Sequence, residues 1–577
     1  MSDADPGDAP DGIEPGRRLV RVGGDMGLSL AERLAERLHR LSWRTPLHQM
    51  RLKGRYPLKL IAVPDDPILG DVERGRALLI GQITFRGETR DLAALDFARP
   101  DWSAAFGEHL HSFEWLRDLS TVATRAAGAP IAEELLARWL EAHADKVAGQ
   151  AWRPALWGRR LLMWTAHAPL ILGSTDLIYR SKVLNALARG ARHLERGADK
   201  AAPGSPRVAA WAGLIAAGLL IPGGEARRHG GEAGLAKALA TGLFEDGGAV
   251  SRSPAQLLDT VATLTLLRAS YDARRVEPPE VLGRSLAKMI PALLGVMLGD
   301  RGLGSWQGGG PTDAERLAQV IDASGVRTRP LRQARDWGYQ RLAAARAVLV
   351  LDAAPPPVAR VVEGGCASTL AFEFSDGAER IVVNCGGARA AVAQLAPALA
   401  EALRTTAAHS TLTLAHTNST AIHHDGTLGR GVTAVELGRQ ESEGASRIDA
   451  AHDGYVRRFG FSHRRQLHLA GDGRELRGED QLLPVGRTRP RAATPFAIRF
   501  HLGQGVEAVG TGEGDAAVLR TPSGAEWLVR ARGAALAVDD SLWIDGEGMP
   551  LATRQIVLTG ESPAGGASVS WVFQKLS

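Results

Sequence analysis

The sequence predicts an α+β protein in which a mainly helical domain is followed by a large antiparallel β domain. Apolar residues recur with the helical period from about residue 103 to 345, and Pro and Gly clusters separate the periodic segments. Near residue 346 the pattern changes to short alternating runs separated by turn sequences, which is typical of antiparallel strands. The order of the two patterns indicates two successive domains.

The helical candidates are joined by short loops, so we expect antiparallel helical hairpins that pack side by side. They are predicted at 131–146, 154–168, 175–196, 206–221, 232–244, 254–272, 279–298 and 313–323. A short β segment interrupts the helices within residues 60–100, where residues 79–85 have the composition of a strand.

The β domain is predicted to span residues 346–577. Residues 346–351 form its first predicted strand, and Pro355-Pro356-Pro357 then excludes a helix. Further strands are predicted at 370–374, 380–384 and 464–469, with a helix-like insert at 388–403. The helical domain is assigned to residues 26–345, and the acidic, Pro- and Gly-rich residues 1–25 are predicted to be a disordered leader.

Composition narrows the classes of function. The chain has 577 residues, with 69 Lys+Arg against 64 Asp+Glu, and this small excess is compatible with a polyanionic partner without requiring one. No concentrated basic patch with interleaved aromatic residues is present, so nucleic-acid binding is not predicted. Gly308-Gly309-Gly310 lacks the Lys and Ser/Thr of a phosphate loop. Two cysteines are too few for a disulfide framework.

The N-terminal residues show no basic region followed by an apolar region, so no secretory signal is predicted. The longest apolar run, residues 208–221, is too short to span a bilayer and is typical of a buried helix. We therefore expect a cytoplasmic protein without a transmembrane segment.

Several short segments carry a resemblance through their order and spacing over residues 100–490. They are His111–Leu119, Asp246-Gly247-Gly248 with Arg252-Ser253-Pro254, Thr406–Leu412, His452–Tyr455 and His463–Arg465. Together they resemble the heparinase II/III-like polysaccharide lyases. The resemblance implies an incomplete α/α toroid followed by a β-sandwich, with an active site in the cleft between them.

The resemblance also implies a reaction and a partner. Lyases of this kind cleave acidic, uronate-containing glycans by β-elimination, which needs a group that neutralises the carboxylate, a base and an acid. A periplasmic location is the family's alternative to the cytoplasmic one. The competing hypothesis is a catalytically degenerate protein that binds a glycan or an envelope polymer on a lyase scaffold.

The resemblance assigns catalytic roles to His409, Tyr455 and Arg252, with Arg252 as a planar clamp for a substrate carboxylate or sulfate. Each has a structural alternative. His409 is otherwise a partly buried histidine bonded to backbone, Tyr455 part of a turn cluster, and Arg252 a loop residue paired with Asp246 or Asp259.

Other family positions hold residues that differ from the family's catalytic groups. The toroid's Asn-His pair falls near Ser205-Pro206, its tyrosine on Gln256 and its histidine on Ala249. The histidines and the aspartate of the family's β domain fall on Gly364, Cys366 and Asn384. These departures place the standard mechanism in doubt.

A zinc site is a further implication of the resemblance, because several family members hold zinc with one ligand from each of three β segments. The equivalents here are Cys366, Asn384 and His409, of which the amide is a weak ligand. Cys366 and Cys385 flank a hairpin predicted to turn at residues 375–378, so they are candidates for a disulfide or a shared ligand set. The alternative is two small buried apolar side chains.

Five residues are candidates for substrate binding. His463 and Arg465 alternate along one strand and so share a face, which is either a cationic cleft wall or a solvated sheet surface. Trp306, in a Gly-rich loop, is the candidate for an exposed sugar platform. Arg207 is the cation nearest to Ser205-Pro206, and His452 completes the set.

Overall fold

The structure is a computed structural model. It describes residues 14–21, 45–312, 314–357, 364–389, 391–392, 395–423, 426–442, 444–486, 493–512 and 514–576, together with residues 34, 38, 41 and 43.

The helical domain follows the predicted order closely. Its helices are α1 (Pro46–Leu52), α2 (Val72–Leu79), α3 (Ala104–Ser112), α4 (Trp115–Val122), α5 (Arg125–His143), α6 (Pro154–Ala166), α7 (Ala168–Ile171), α8 (Leu177–Gly197), α9 (Ser205–Leu220), α10 (Glu225–Gly242), α11 (Pro254–Arg274), α12 (Glu280–Gly295) and α13 (Ala314–Ser324). Among the described residues, no helix is both long enough and apolar enough to cross a membrane.

Helices α6 and α9 pack in close contact within the helical domain. Gly158 on α6 faces α9 so closely that a Cβ there would lie 2.0 Å from the Ala209 carbonyl oxygen. A Cβ at Gly213 on α9 would lie 2.4 Å from the Cα of Gly158. Glycine at both positions therefore allows the two backbones to touch.

An aromatic cluster fills the interior beside this contact. Trp139, Trp157 and Trp164 are fully buried. The guanidinium of Arg160 lies 4.1 Å from the Trp139 ring centroid and 4.4 Å from that of Trp157. Its N–H groups donate to the carbonyls of His111 and Ala151, so this buried cation is held by rings and backbone dipoles.

The β domain is a sandwich of two antiparallel sheets, whose strands are named here together with those of the N-terminal region. They are β1 (Glu14–Val20), β2 (Gln82–Phe85), β3 (Glu88–Asp91), β4 (Tyr339–Ala344), β5 (Ala347–Asp352), β6 (Phe372–Asp376), β7 (Glu379–Val383), β8 (Leu412–Leu414), β9 (Ala434–Ser442), β10 (Ala445–His452), β11 (Phe461–Ala470), β12 (Glu475–Pro484), β13 (Thr494–Leu502), β14 (Glu507–Gly510), β15 (Ala516–Arg520), β16 (Glu526–Arg532), β17 (Ala535–Ile544), β18 (Pro550–Ser562) and β19 (Ala567–Lys575). Two short helices, α14 (Pro397–Ala402) and α15 (Val456–Phe459), interrupt them.

The described strands form one sheet in the order β1-β9-β10-β11-β12-β19-β16-β15-β14. The second sheet has the order β17-β18-β13-β7-β6-β5-β4, with β8 added to β13. Apolar side chains from both sheets form one core, whose large members include Phe372, Phe500, Trp527 and Trp571. The hairpin of β2 and β3 stands apart, in the helical part of the chain.

The predicted α+β class and the order of the two domains are confirmed. One correction concerns the predicted leader, because Glu14–Val20 forms a strand rather than disordered chain. This strand pairs antiparallel with β9, from Glu14 opposite Arg439 to Val20 opposite Ala434. Residues 1–13 lie outside the described residues. The first strand of the sandwich after the helical domain begins at Tyr339, seven residues before the predicted boundary at 346.

A strained turn follows β8. Ala415 and His416 both have positive φ, at 48° and 53°, and the Thr417 N–H donates to the Leu414 carbonyl across them. Consecutive left-handed residues favour glycine, because a Cβ is disfavoured there by about 1–2 kcal/mol.

Replacing Ala415 by Gly is therefore expected to stabilise the protein by roughly 1 kcal/mol, since relief of strain exceeds the added chain entropy. Urea denaturation measures the change. Ala421→Gly is the matched control, at a negative φ in the same loop, and it is expected to destabilise by about 0.5–1 kcal/mol. Equal destabilisation by both changes would contradict the assignment of strain.

Candidate functional site

Three positions that the resemblance assigns to the toroid's catalytic groups lie together. Ser205, Ala249 and Gln256 line one small pocket between α9, α10 and α11, with a volume of about 10 Å³. That volume holds about a single water molecule. The residues lining it are Gly204, Ser205, Val208, Ala238, Leu239, Gly242, Leu243, Ala249, Gln256 and Thr260, and none of these has an ionisable side chain.

Arg207 does not lie in this pocket. Its Nε and Nη2 both donate to the Ala201 carbonyl, at 3.0 and 2.9 Å, so the fork closes the turn that precedes α9. The Ser205 hydroxyl is buried and has no hydrogen-bond partner among the described residues. The pocket therefore has room for a water molecule and an unpaired hydroxyl to bind it, and its lining carries no charged side chain for a substrate.

Arg252 forms a clamp between the two domains instead of a substrate site. It is buried, at a left-handed φ of 54°. Its Nε donates to the Trp337 carbonyl at 2.9 Å, and Nη1 donates to the carbonyls of Ala354 and Pro355. Nη2 lies 2.7 Å from the Asp352 carboxylate at the end of β5. Its nitrogens are thus engaged within the protein.

The structure contradicts the predicted pairing of Arg252 with Asp246 or Asp259, because Arg252 pairs with Asp352. Asp246 accepts hydrogen bonds from the N–H groups of Asp336 and Trp337, both at 2.8 Å. Asp259 lies 3.6 Å from Arg159. The prediction chose the carboxylates nearest to Arg252 in sequence. The observed partner, Asp352, lies on β5, about a hundred residues later in the chain.

Trp306 is buried at 1% exposure, so the prediction of an exposed sugar platform is wrong. Its ring packs against Tyr339 with centroids 5.4 Å apart. A Cβ at the neighbouring Gly304 would lie 2.6 Å from Glu373 Oε2, so this position requires glycine. The glycines of this loop serve close packing against the sheet rather than exposure.

The Asn384 amide is fully used inside the β domain. Its Nδ2 donates to Glu373 Oε1 at 3.1 Å and to the Ser305 carbonyl at 3.3 Å, while Oδ1 accepts from the Ser410 N–H at 2.9 Å. Glu373 is completely buried, and burial raises its pKa although Arg380 opposes the rise. Asn384 and Glu373 thus form a hydrogen-bonded unit that positions the chain before β8.

His409 lies next to this unit and is also buried. Its Nδ1 lies 2.7 Å from the Thr405 carbonyl, which requires the N–H form at that nitrogen. Burial lowers its pKa, and the hydrogen bond to Thr405 only partly opposes this. The geometry matches the structural alternative, a histidine bonded to backbone.

The residues Cys366, Asn384 and His409 do not fit a zinc ion. The Asn384 amide is committed to other groups, and burial raises the pKa of the Cys366 thiol to about 11, which disfavours the thiolate that binds zinc. Within the described ranges no group of three His, Cys, Asp or Glu side chains is arranged to hold a metal ion.

The two cysteines are free and buried, so the disulfide alternative is not realised in this structure. Cys385 Sγ lies 3.4 Å from His501 Nδ1, and that nitrogen lies 2.8 Å from the Ser541 hydroxyl. His501 Nε2 lies 2.9 Å from the Ala407 carbonyl. Burial lowers the pKa of His501 to about 3, so it is a poor base at neutral pH.

His452, His463 and Arg465 form a buried polar network with Asp480. His463 Nε2 lies 2.7 Å from Asp480 Oδ1, and its Nδ1 lies 3.2 Å from His452 Nε2. The His452 Nδ1 accepts from the Gly454 N–H, so Nε2 carries the proton that is donated to His463. Arg465 binds both Asp480 oxygens, at 2.8 and 3.0 Å.

The network ties the two sheets together. Arg465 Nη1 donates to the carbonyls of Leu370 and Ser410, and the Trp571 indole donates to Asp480. Burial alone would raise the pKa of Asp480, but Arg465 and His463 hold it well below its usual range. His463 and Arg465 have no exposed surface, so both predicted alternatives for their face, a cleft wall or a solvated sheet, are wrong.

Tyr455 lies near this network with its hydroxyl turned inward. The hydroxyl donates to the Leu412 carbonyl at 2.9 Å, and burial raises its pKa further above the usual range. The structure thus separates the predicted site residues into a toroid pocket, an interdomain clamp and buried networks in the sandwich. It does not bring His409, Tyr455 and Arg252 to a common surface.

The sequence of the β domain matches a known family model. A family model described as "Heparinase II/III-like, C-terminal" matches residues 326–572. This part of the chain is thus a heparinase II/III-like C-terminal domain.

Solved structures extend the likeness to both domains. The crystal structure of heparinase III matches with a TM-score of 0.69 and 12% identity, covering 96% of this chain and 93% of that one. The heparan sulfate lyase HepC from Pedobacter heparinus matches with a TM-score of 0.57 and 15% identity, covering 92% and 87%. The predicted toroid followed by a β-sandwich is confirmed, and these likenesses establish the fold alone.

A curated relative matches over nearly the same length. FtsZ-localized protein C from Caulobacter vibrioides is 28% identical over 561 residues, which cover 92% of each protein. The name of that relative describes a location with FtsZ rather than a reaction.

The sequence analysis missed the carboxylates that organise the core of the β domain. Asp352, Glu373 and Asp480 are completely buried and pair with Arg252, Asn384 and Arg465. One signal was present, because Glu373 lies between two aromatic residues in Phe372-Glu373-Phe374. An acid within such a strand indicates a buried partner.

Proposed function

We propose that this heparinase II/III-like protein is catalytically inactive and acts as a binding protein in the neighbourhood of FtsZ. The observation that carries the proposal is the toroid pocket, where the family's catalytic positions meet. Ser205, Ala249 and Gln256 offer a hydroxyl, a methyl group and an amide there, in a volume of about 10 Å³. Neither a sugar ring nor a proton-transfer group has a place in it.

The β-domain residues support the same proposal. β-Elimination needs a base and an acid with access to the substrate. The Tyr455 hydroxyl and the His409 Nδ1 are both bonded to backbone carbonyls inside the protein. The Arg252 fork, which would neutralise a carboxylate, is ion-paired with the buried Asp352 and donates to three carbonyls.

The curated relative supports the proposed location near FtsZ. A protein that is 28% identical along 92% of this chain carries the name FtsZ-localized protein C. An inactive lyase scaffold retains a large folded surface that is suited to recognition, because fold and activity are separable. An acidic glycan or an envelope polymer is the partner class that the scaffold suggests.

The absence of lyase activity is the first test. Purified protein is incubated with heparan sulfate, chondroitin sulfate, hyaluronan, alginate and polygalacturonate, and the ultraviolet absorbance of the unsaturated product is followed. We expect no increase with any polymer, whereas heparinase III run in parallel on heparan sulfate gives the signal. Turnover of any of these polymers would overturn the proposal.

The location is the second part of the test. A fluorescent fusion to the full chain, expressed in its native host beside labelled FtsZ, is expected to follow the FtsZ distribution and to disperse when FtsZ is depleted. A uniform distribution that FtsZ depletion does not change would contradict the proposed location near FtsZ. The result of the lyase assay would not be affected.

A further inference from the structure

We propose that a second cavity, in the β domain, binds the phosphate group of an organic phosphate. The cavity has a volume of about 690 Å³, within the range of small-molecule sites. It is lined by Thr417, Asn418, Ser419, Ala421, Arg430, Gly431, Thr433, Asp453, Gly454, Tyr455, Val456, Arg457, Arg458 and Phe459. None of these residues comes from the helical domain, so the cavity is distinct from the toroid pocket.

Three segments build the cavity. The loop after the strained turn at Ala415 forms one wall, the residues that lead into β9 form the second, and the chain from the end of β10 through α15 forms the third. Tyr455 is buried and anchored through its hydroxyl, and Phe459 is half-buried. The floor is therefore fixed and partly apolar, which suits the organic part of a ligand.

The charge of the lining is positive. Arg430, Arg457 and Arg458 are exposed, and no ion pair joins any of the three to a carboxylate of the described residues. The Arg458 guanidinium lies 5.2 Å from the centroid of the Phe459 ring. Three guanidinium groups around one concave space attract an anion, because each offers a planar fork of N–H donors.

The single carboxylate of the lining is already occupied. Asp453 Oδ1 accepts from the N–H groups of Thr433 and Ala434, at 2.8 and 3.2 Å, and Oδ2 accepts from the Thr433 hydroxyl. These bonds turn Asp453 toward the start of β9. With three arginines and one carboxylate, the lining carries a formal charge of +2.

A phosphate monoester matches this charge better than a carboxylate does. It carries a charge of about −1.5 to −2 near neutral pH and three strong acceptor oxygens, whereas a carboxylate carries a single charge on two oxygens. The remaining volume and the Phe459 wall leave space for the organic group that bears the phosphate.

Calorimetric titration of the full chain tests the site. The probes are inorganic phosphate, pyrophosphate and glycerol 3-phosphate, with glycerol as the probe without a phosphate. We expect saturable binding of glycerol 3-phosphate and none of glycerol. The single changes Arg430→Ala, Arg457→Ala and Arg458→Ala are each expected to weaken it by about tenfold, as for the loss of a charged hydrogen bond.

Matched controls separate the cavity from general surface charge. Arg99, Arg530 and Arg532 are exposed and lie outside the cavity, so their triple alanine variant changes the net charge equally. We expect this variant to bind as the native chain does and the triple variant of the cavity to lose binding. Because all six side chains are exposed, thermal unfolding is expected to be similar for both variants. Equal loss in both, or no binding of any phosphate, would overturn the proposal.

The source of the phosphate is distinguished in a second arm. Flotation with phosphatidylglycerol vesicles is compared with flotation with phosphatidylcholine vesicles, for the native chain and the cavity variant. Binding of glycerol 3-phosphate without flotation assigns the site to a soluble phosphate. Flotation that requires the three arginines assigns it to a lipid headgroup. Flotation that the cavity variant retains, without binding of soluble phosphate, would contradict a phosphate site in this cavity.

Discussion

Lowering the pH from 7 to 5 is expected to cost the folded protein several kcal/mol of stability and to bring it close to unfolding. Burial lowers the pKa of His109 to about 3, of His111 to about 2, of His143 to about 4 and of His501 to about 3. In the unfolded chain these histidines titrate near their ordinary value of about 6.5.

The sign follows from proton linkage. As the pH falls below about 6.5, the unfolded chain binds protons that the folded protein does not bind, so the unfolded state is favoured. Each such histidine lowers the free energy of unfolding by about 1.4 kcal/mol per pH unit until its folded pKa is reached. Four together give roughly 5 kcal/mol per pH unit, against a total stability of about 5–15 kcal/mol for a typical protein.

Urea denaturation at pH 7.5, 6.5, 5.5 and 4.5 measures this slope. His143→Gln removes one of the linked groups and is expected to reduce the slope by about 1.4 kcal/mol per pH unit. The control is His229→Gln, at an exposed histidine with 65% of its side chain accessible, and the slope of this variant is compared with that of the native chain. A stability independent of pH between 7.5 and 5.5 would contradict the burial of these histidines as neutral groups.

Replacing Asp480 by Asn is expected to destabilise the protein by about 3–5 kcal/mol, the range for removing one partner of a buried ion pair. Asp480 accepts hydrogen bonds from Arg465, His463 and the Trp571 indole and is completely buried. The neutral amide would leave the Arg465 cation without a counter-charge in the interior and would place an N–H₂ group against other donors.

The neighbouring pair of Arg464 and Asp449 is the matched control. The Arg464 side chain lies on the face of β11 opposite to that of Arg465. The side chains of Arg464 and Asp449 are both about a third exposed, at 36% and 30%. Asp449→Asn is expected to cost at most about 1 kcal/mol, as solvent-accessible pairs do. Both variants are measured by urea denaturation at pH 7.5. Similar small losses would show that the sandwich does not depend on the buried pair.

The helices and the change to strands were predictable because Pro and Gly breaks and the spacing of apolar residues are properties of the local sequence. Pro154, Pro206 and Pro254 each begin a helix close to its predicted first residue. The pairing of Glu14–Val20 with β9 was not predictable, because a contact across more than four hundred residues leaves no local pattern.

The candidate site was harder to predict because charge was taken as a sign of exposure. On β11, His463 and Arg465 share a face with Phe461, Leu467 and Leu469, and all five are buried. The apolar members of that face indicated its inward direction. The partner that makes burial tolerable, Asp480, is on the next strand and could be identified only once the register of β11 and β12 was known.

The position of β19 has a consequence for biosynthesis. This strand ends at Lys575, yet it lies in the interior of its sheet between β12 and β16. Backbone hydrogen bonds on both of its edges therefore form only after β19, which follows the other strands of this sheet in the chain, has been synthesised. Until then the sheet exists as two separate pieces with open edges, which are prone to pair with other chains. Loss of β19 would divide the sheet between β12 and β16.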